Sequence, residues 1–240
     1  MEFLNKIIAK KRDVHGAPPI TVAFFGDSVT QGCFELYKTA ERGFQTEFSV
    51  ADGYHTKFRE ILEMLYPSVP VNMIHAGISG DSATGGLKRV SRDVCAFSPD
   101  LTVFCFGLND ATKGISNLPN YEAAIEGIIK ELRSSGSEII FMTPNVMADE
   151  LSPEITDSYV REVIGNMIST SDGALTAFID AAKRICEREG VAVCDCYEVW
   201  QTLKKNEVDT TRLLSNRINH PIEKMHWLFA TMLIKTIFER

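Results

Sequence analysis

The stretch Thr21-Val-Ala-Phe-Phe-Gly-Asp-Ser-Val-Thr-Gln-Gly32 decides how the rest of the chain is interpreted. Its β-branched and aromatic run is typical of a buried strand, and the run ends abruptly at Gly26. Asp27 and Ser28 follow directly, so we expect a hydroxyl group at the carboxyl end of this strand. Open α/β sheets bind their ligands at that edge. Serine and aspartate are also common turn and N-cap residues, so other stretches must separate a site from a plain turn.

Strand and helix patterns alternate along the whole chain. Strands are predicted over Thr21 to Phe25, Val71 to His75, Leu101 to Phe106, Glu138 to Met142 and Val191 to Asp195. Apolar residues at helical spacing predict helices at Gly53 to Leu65, Ala83 to Val94, Tyr121 to Leu132, Leu175 to Cys186 and, after Pro221, Ile222 to Ile237. This rhythm predicts a parallel sheet covered by helices on both faces, with all strand carboxyl ends on one edge.

Two connections on that edge lack the hydrophobic periodicity of a helix or a strand. Residues 33 to 52 form a long polar and aromatic stretch, which we expect to cover a site. Residues 145 to 156 are predicted to be a loop that walls a pocket.

Length, composition and charge restrict the class of protein. The chain has 240 residues and 45% hydrophobic content, which fits one α/β domain over residues 1–240 with residues 1–19 as a helical N-terminal extension. A net charge of -7 provides no general attraction to nucleic acid or to anionic lipid. The sequence shows no membrane-spanning run and no signal peptide, so we expect a cytoplasmic protein. Composition leaves the oligomeric state undetermined.

Neither the cysteines nor the histidines suggest a cofactor or metal site. The six cysteines lie mostly in apolar runs and lack Cys-x-x-Cys spacing, as expected for buried residues in a reducing compartment. The histidines show no paired ligand spacing. We therefore predict no metal and no cofactor.

Polar residues also follow other strands of the predicted sheet. Gly77 lies in a glycine-rich turn after the second strand, and Asn109 lies in a Gly-Leu-Asn-Asp turn after the third. His220 precedes Pro221, which suits the first turn of the terminal helix. These residues are expected to meet Ser28 at the carboxyl edge of the sheet.

The collected side chains suit one kind of chemistry. A serine hydroxyl becomes a good nucleophile when a neighbouring base takes its proton, and imidazole matches that task near neutral pH. The backbone N–H groups of Ser28 and Gly77, with the side-chain amide of Asn109, can bind the oxyanion that forms on attack. This arrangement predicts acyl transfer to a serine.

Taken together, these motifs resemble the four motif blocks of the SGNH, or GDSL, hydrolases. The blocks occur in the right order from about residue 20 to the end of the chain, as Gly26-Asp-Ser28, His75-Ala-Gly-Ile-Ser-Gly80, Gly107-Leu-Asn-Asp110 and His220-Pro221. The resemblance implies a flavodoxin-like three-layer α/β/α fold, here with a five-stranded parallel sheet, and esterase or lipase activity. It implies that Ser28 is the nucleophile and His220 the general base, that Gly77 and Asn109 complete the oxyanion hole, and that Asp27 is a supporting residue.

The chain departs from the family beside the histidine. The family usually has an aspartate three residues before it, whereas this chain has Arg217, with Asn216 one residue further back. A Ser-His dyad oriented by a backbone carbonyl or by Asn216 is one interpretation. A carboxylate supplied by Asp209 or Glu207 is the other.

The predicted substrate is a small ester with a short acyl chain, such as acetyl on a carbohydrate. The family resemblance also admits a lysophospholipase or a thioesterase, because these share the same blocks. Two alternatives lie outside this chemistry. One is a non-catalytic binding protein, and the other is a protein of the same fold that binds phosphate or flavin at the strand ends.

Overall fold

A computed structural model describes residues 2–39, 43–171 and 173–239. Its strands are β1 (Ile20–Gly26), β2 (Cys33–Thr39), β3 (Gly43–Phe48), β4 (Val71–Gly77), β5 (Leu101–Cys105), β6 (Glu138–Met142) and β7 (Ala192–Cys194). Five of them form a parallel sheet in the order β4-β1-β5-β6-β7. The order reverses direction beside β1, so a crevice opens at the carboxyl end of that strand.

Helices cover both faces of the sheet. They are α1 (Glu2–Arg12), α2 (Ser28–Gln31), α3 (Tyr54–Leu65), α4 (Ala83–Asp93), α5 (Leu108–Ala111), α6 (Leu118–Ser134), α7 (Ser158–Ser171), α8 (Ala174–Glu189), α9 (Cys196–Lys205) and α10 (His226–Phe238). Helices α4, α6 and α8 pack in one row, and α3, α10 and α9 pack in another. The flavodoxin-like three-layer α/β/α fold predicted from the sequence is confirmed.

The central strands carry the core. Every residue of β5 is buried, and β1 is buried at all but one position, because helices cover both of their faces. The edge strand β4 is mostly half-buried. All five predicted strands are present, with ends that differ from the prediction by at most two residues.

Within residues 2–39, 43–171 and 173–239, no helix has the length and apolar character needed to cross a membrane.

Two regions differ from the sequence-based expectation. Strands β2 and β3 pair as an antiparallel hairpin where we expected an irregular cover, although residues 40–42 lie outside the described part of the chain. Helices α7 and α9 were not predicted. The hydrophobic pattern that predicts a helix is nevertheless present in α7, because its apolar residues recur at helical spacing, at Val160, Val163, Ile164 and Met167.

Candidate active site

Ser28 lies at the carboxyl end of β1, as predicted. It begins the short helix α2, and the preceding Asp27 caps that helix by accepting a hydrogen bond from the Val29 N–H at 3.0 Å. The Ser28 side chain is 4% exposed. Its Oγ lies 2.9 Å from Nε2 of His220, 192 residues along the chain. The structure therefore brings together the two side chains that the sequence predicted would meet.

His220 sits in a closed loop of residues 213–222, which we call the His220 loop. The Ile222 N–H donates to the Leu213 carbonyl at 2.9 Å, and Leu214 pairs with Pro221 in an antiparallel bridge. This corrects the expectation that Pro221 lies in the first turn of the terminal helix. Ile222 is extended, and α10 begins only at His226.

The His220 loop is held against the segment that follows β6. The Ala148 N–H donates to the Ile218 carbonyl at 2.7 Å. Asn145, which is fully buried, donates its side-chain N–H to the Asn219 carbonyl at 2.8 Å. These bonds fix the imidazole relative to the strand ends, since both anchors belong to the connection that leaves the sheet.

The charged residues of this region either bond to partners other than the imidazole or are exposed. Arg217 bonds Glu154 at 2.8 Å and the Leu214 carbonyl at 2.6 Å. Asp209 caps the turn that precedes the loop and pairs with a neighbouring arginine, and Glu207 is exposed. Within the described residues, the side chains hydrogen-bonded to the His220 ring are those of Ser28, Asn216 and Cys33, none of which is a carboxylate.

Asn216 is oriented by three backbone amides. Its Oδ1 accepts hydrogen bonds from the N–H groups of Ile218, Asn219 and His220 at 2.9, 2.9 and 3.1 Å. Its Nδ2 consequently faces the ring and lies 3.0 Å from Nδ1 of His220. This differs from the dyad interpretation in which Asn216 accepts the Nδ1–H, because an amide nitrogen is a donor and not an acceptor.

Asn109 is held by the turn that follows β4. Its side-chain Nδ2 donates one hydrogen to the Asp81 carbonyl at 2.8 Å, so the second hydrogen of the same amide remains for a ligand. Ser28, Asn109, Gly80 and His220 line one cleft.

Gly77 does not line that cleft with Ser28, which corrects its predicted place. The Ile78 N–H donates to the Gly26 carbonyl at 3.1 Å, and amides of successive strand residues point in opposite directions, so the Gly77 N–H points away from β1. A Cβ at Gly77 would lie 2.3 Å from the Gln31 nitrogen, so glycine is needed there for close packing. Gly80, with a φ of +76°, is the glycine of this turn that reaches the cleft.

A buried arginine bonds to both turns, the one that follows β1 and the one that follows β4. Arg89 donates to the Gly26 carbonyl and to the Ala76 carbonyl, each at 2.8 Å. It also pairs with Asp81 at 2.6 Å, and the carbonyl of Asp81 in turn holds Asn109. One guanidinium group therefore joins β1, β4 and the residue that orients Asn109.

The cleft is small and apolar on one wall. Its volume is about 220 Å³, and α7 contributes Val163, Ile164 and Met167. The loop of residues 145 to 156 walls other cavities: residues 146–149 line a second cavity of about 130 Å³, and residues 150–154 line a third.

Burial dominates the electrostatics of the site. It lowers the pKa of His220 to about 4, so the imidazole is neutral at physiological pH. It raises the pKa of Asp27 to about 7, and one carboxyl oxygen of Asp27 is buried without a hydrogen-bond partner. His226 accepts the Tyr54 N–H at 3.0 Å, a structural contact between α10 and α3. Across the described parts of the chain, we find no cluster of three or more residues suited to hold a metal ion.

Comparison with known proteins identifies the family. Residues 24–228 match the model of the GDSL-like lipase/acylhydrolase family. The chain belongs to this family. It is a carboxylic ester hydrolase, and the family resemblance inferred from its motifs is confirmed.

Individual members of the GDSL-like family agree with that assignment. An acetylxylan esterase of Geobacillus stearothermophilus is 28% identical over 152 residues, which cover 58% of this chain and 68% of the relative. The solved acetyl xylan esterase AlAXEase superposes with a TM-score of 0.67 at 19% identity, over 91% of this chain and 100% of that one. A two-domain esterase active on acetylated mannans superposes with a TM-score of 0.68 at 15% identity. The match covers 99% of this chain but only about half, 52%, of that esterase.

Proposed function

We propose that this GDSL-like hydrolase cleaves its ester through an acyl-enzyme formed on Ser28, with His220 as general base. The observation that carries the proposal is the 2.9 Å contact between Ser28 Oγ and His220 Nε2. This distance lies within the range in which a base can take the hydroxyl proton directly. The low pKa of about 4 keeps the imidazole neutral and able to accept that proton.

In the first step, Oγ of Ser28 attacks the ester carbonyl carbon while its proton moves to Nε2. The carbonyl oxygen becomes an oxyanion, for which we propose three donors: the N–H groups of Ser28 and Gly80 and the free side-chain hydrogen of Asn109. All three residues line the cleft. Donors fixed in place before the reaction stabilise the transition state without reorganising.

The tetrahedral intermediate collapses when Nε2 returns the proton to the departing alcohol. Water then repeats the sequence on the acyl-enzyme, with His220 again accepting and returning one proton. The sum is an ester and water converted to an acid and an alcohol.

We propose an acetyl group, or another short acyl group, on a carbohydrate as the substrate. The cleft of about 220 Å³ beside Ser28 accommodates a short acyl chain. Helix α7 lines one wall of that cleft with apolar side chains. The two relatives described as acetylxylan esterases, and the esterase active on acetylated mannans, are consistent with this choice.

The proposal is tested with Ser28→Ala and a fluorophosphonate probe. We expect wild-type protein to be labelled at Ser28, located by mass spectrometry, and Ser28→Ala to lose hydrolysis by about 10⁴-fold or more. Ser91→Ala, an exposed serine on α4, is the matched control and keeps full activity. Full activity in Ser28→Ala would exclude the mechanism.

Substrate class requires a separate measurement. Activity on p-nitrophenyl acetate, butyrate, octanoate and palmitate, together with acetate release from acetylated xylo-oligosaccharides, distinguishes short from long acyl groups. We expect kcat/KM to fall as the chain lengthens. A maximum at octanoate or beyond favours a lysophospholipase or thioesterase.

One observation favours a second candidate, a binding protein without turnover. The side-chain N–H₂ of Asn216 faces Nδ1 of His220, where the family usually provides an acid. Ligand binding in the cleft without probe labelling and without ester hydrolysis would support that candidate.

A further inference from the structure

The proton on the His220 ring raises a question that the Ser28 mechanism leaves open. Neutral imidazole carries one proton, and Nε2 can accept the Ser28 proton only when that proton sits on Nδ1. The Nδ1–H then needs an acceptor in a site where His220 is only 8% exposed. A buried donor without a partner is costly.

Asn216 cannot supply this acceptor. Three backbone N–H groups hold its Oδ1, so rotating the amide by 180° would place N–H₂ against three donors. Its Nδ2 is therefore fixed as a donor that points at Nδ1, 3.0 Å away. That arrangement stabilises the tautomer with the proton on Nε2, in which the imidazole cannot act as the base for Ser28.

Cys33 offers what Asn216 lacks. Its Sγ lies 3.2 Å from Nδ1 of His220, and sulfur has lone pairs that accept hydrogen bonds weakly. Burial raises the pKa of the thiol to about 12, so it stays neutral and keeps its own proton. Cys33 is fully buried, and the bond from the Ser49 N–H to the Gly32 carbonyl, 2.8 Å long, fixes the chain beside it.

We propose that Cys33 is the positioning residue of the His220 base: its sulfur accepts the Nδ1–H in the reactive tautomer, and the Asn216 amide stabilises the unreactive one. This inference rests on the proposed function of Ser28 and His220. When Nε2 takes the Ser28 proton, the ring becomes an imidazolium whose Nδ1–H stays bonded to sulfur. Nε2 later returns that proton to the leaving alcohol, and Cys33 neither gains nor loses one.

The kinetic test compares Cys33→Ala with Cys33→Ser. Alanine removes the acceptor, so we expect kcat to fall about tenfold with KM unchanged, the effect of one lost neutral hydrogen bond. Serine restores an acceptor oxygen and should return kcat to within about threefold of wild type. The matched control is Cys186→Ala, a buried cysteine on α8, which should keep wild-type kcat. Wild-type kcat in Cys33→Ala, or a loss that serine does not restore, overturns the proposal.

The tautomer is measured directly, independently of turnover. We expect the ¹⁵N shifts of His220 at neutral pH to show protonated Nδ1 in part of the population of wild type and of Ser28→Ala. In Cys33→Ala that population should move to protonated Nε2. Equal shifts in all three proteins overturn the role of Cys33, whereas an active Ser28→Ala overturns the proposed function instead.

Discussion

The two sides of the Ser28 cleft are built in different ways. On the side of the proposed oxyanion hole, which we call the oxyanion side, Asn109 and Gly80 follow strand ends, and Arg89 with its partner Asp81 holds them through charged hydrogen bonds. On the histidine side, neutral amides and the outer pair of Arg217 with Glu154 hold the His220 loop, and the ring itself contacts a neutral amide and a thiol. The sheet therefore fixes the oxyanion side before substrate binds. The tautomer of His220, in contrast, depends on whether Nδ1 bonds to Cys33 or to Asn216.

Of the substitutions that compare the two sides, the one on the oxyanion side should have the largest effect. Asn109→Ala removes one donor aimed at the developing charge, so kcat should fall by about 100- to 1,000-fold with KM little changed. Initial rates on p-nitrophenyl acetate measure this. Asn72→Ala, an exposed residue of β4, is the control. A change confined to KM would instead assign Asn109 to substrate binding.

A substitution of Arg89 tests whether the oxyanion side depends on the hydrogen bonds and the ion pair that this arginine makes. Arg89→Met keeps the stem but removes the bonds to the Gly26 and Ala76 carbonyls and leaves Asp81 unpaired. We expect the free energy of unfolding to fall by about 3 kcal/mol in urea titrations.

Arg92→Met serves as the matched control for that measurement. It lies on the same helix, is exposed, and pairs at the surface with Asp93, so its free energy of unfolding should stay close to that of wild type. Equal stability of the two variants would show that Arg89 does not hold the two turns together.

The smallest change, Asn216→Asp, tests the histidine side. The carboxylate keeps one oxygen on the three backbone amides and turns the other toward Nδ1, so it accepts the Nδ1–H. A negative charge there favours imidazolium, so kcat should rise about tenfold. The pKa of His220 should rise above about 4, so the acid limb of the kcat/KM profile moves to higher pH.

Two controls accompany Asn216→Asp. Asn206→Asp adds the same charge at an exposed helix end and should leave the profile unchanged. Asp209→Asn removes a carboxylate that the sequence offers as the missing acid, and we expect no loss of activity. If Asp209→Asn abolishes hydrolysis in a folded protein, Asp209 supplies the carboxylate that orients His220, and the proposal that Nδ1 has only neutral partners is wrong.

The sequence was most informative where hydrophobic periodicity governs the structure. Apolar runs placed all five strands of the sheet, and the parallel topology then brought Ser28, Asn109 and His220 to one cleft. The sequence was less informative in the turn after β4, where Gly77 and Gly80 lie three residues apart. Excluding Gly77 required the direction of its N–H, which depends on how β4 pairs with β1.

The sequence by itself determined the sheet, the family and the residues proposed as nucleophile and base, because strand periodicity and four short motifs are local properties of the chain. Only the tertiary structure decided what surrounds Nδ1 of His220. Cys33 and His220 are 187 residues apart, and the direction of the Asn216 amide follows from three backbone N–H groups in a folded loop. The strength of a hydrogen bond depends on its angle and on distance differences of a fraction of an ångström. The spacing of residues along the sequence encodes neither quantity.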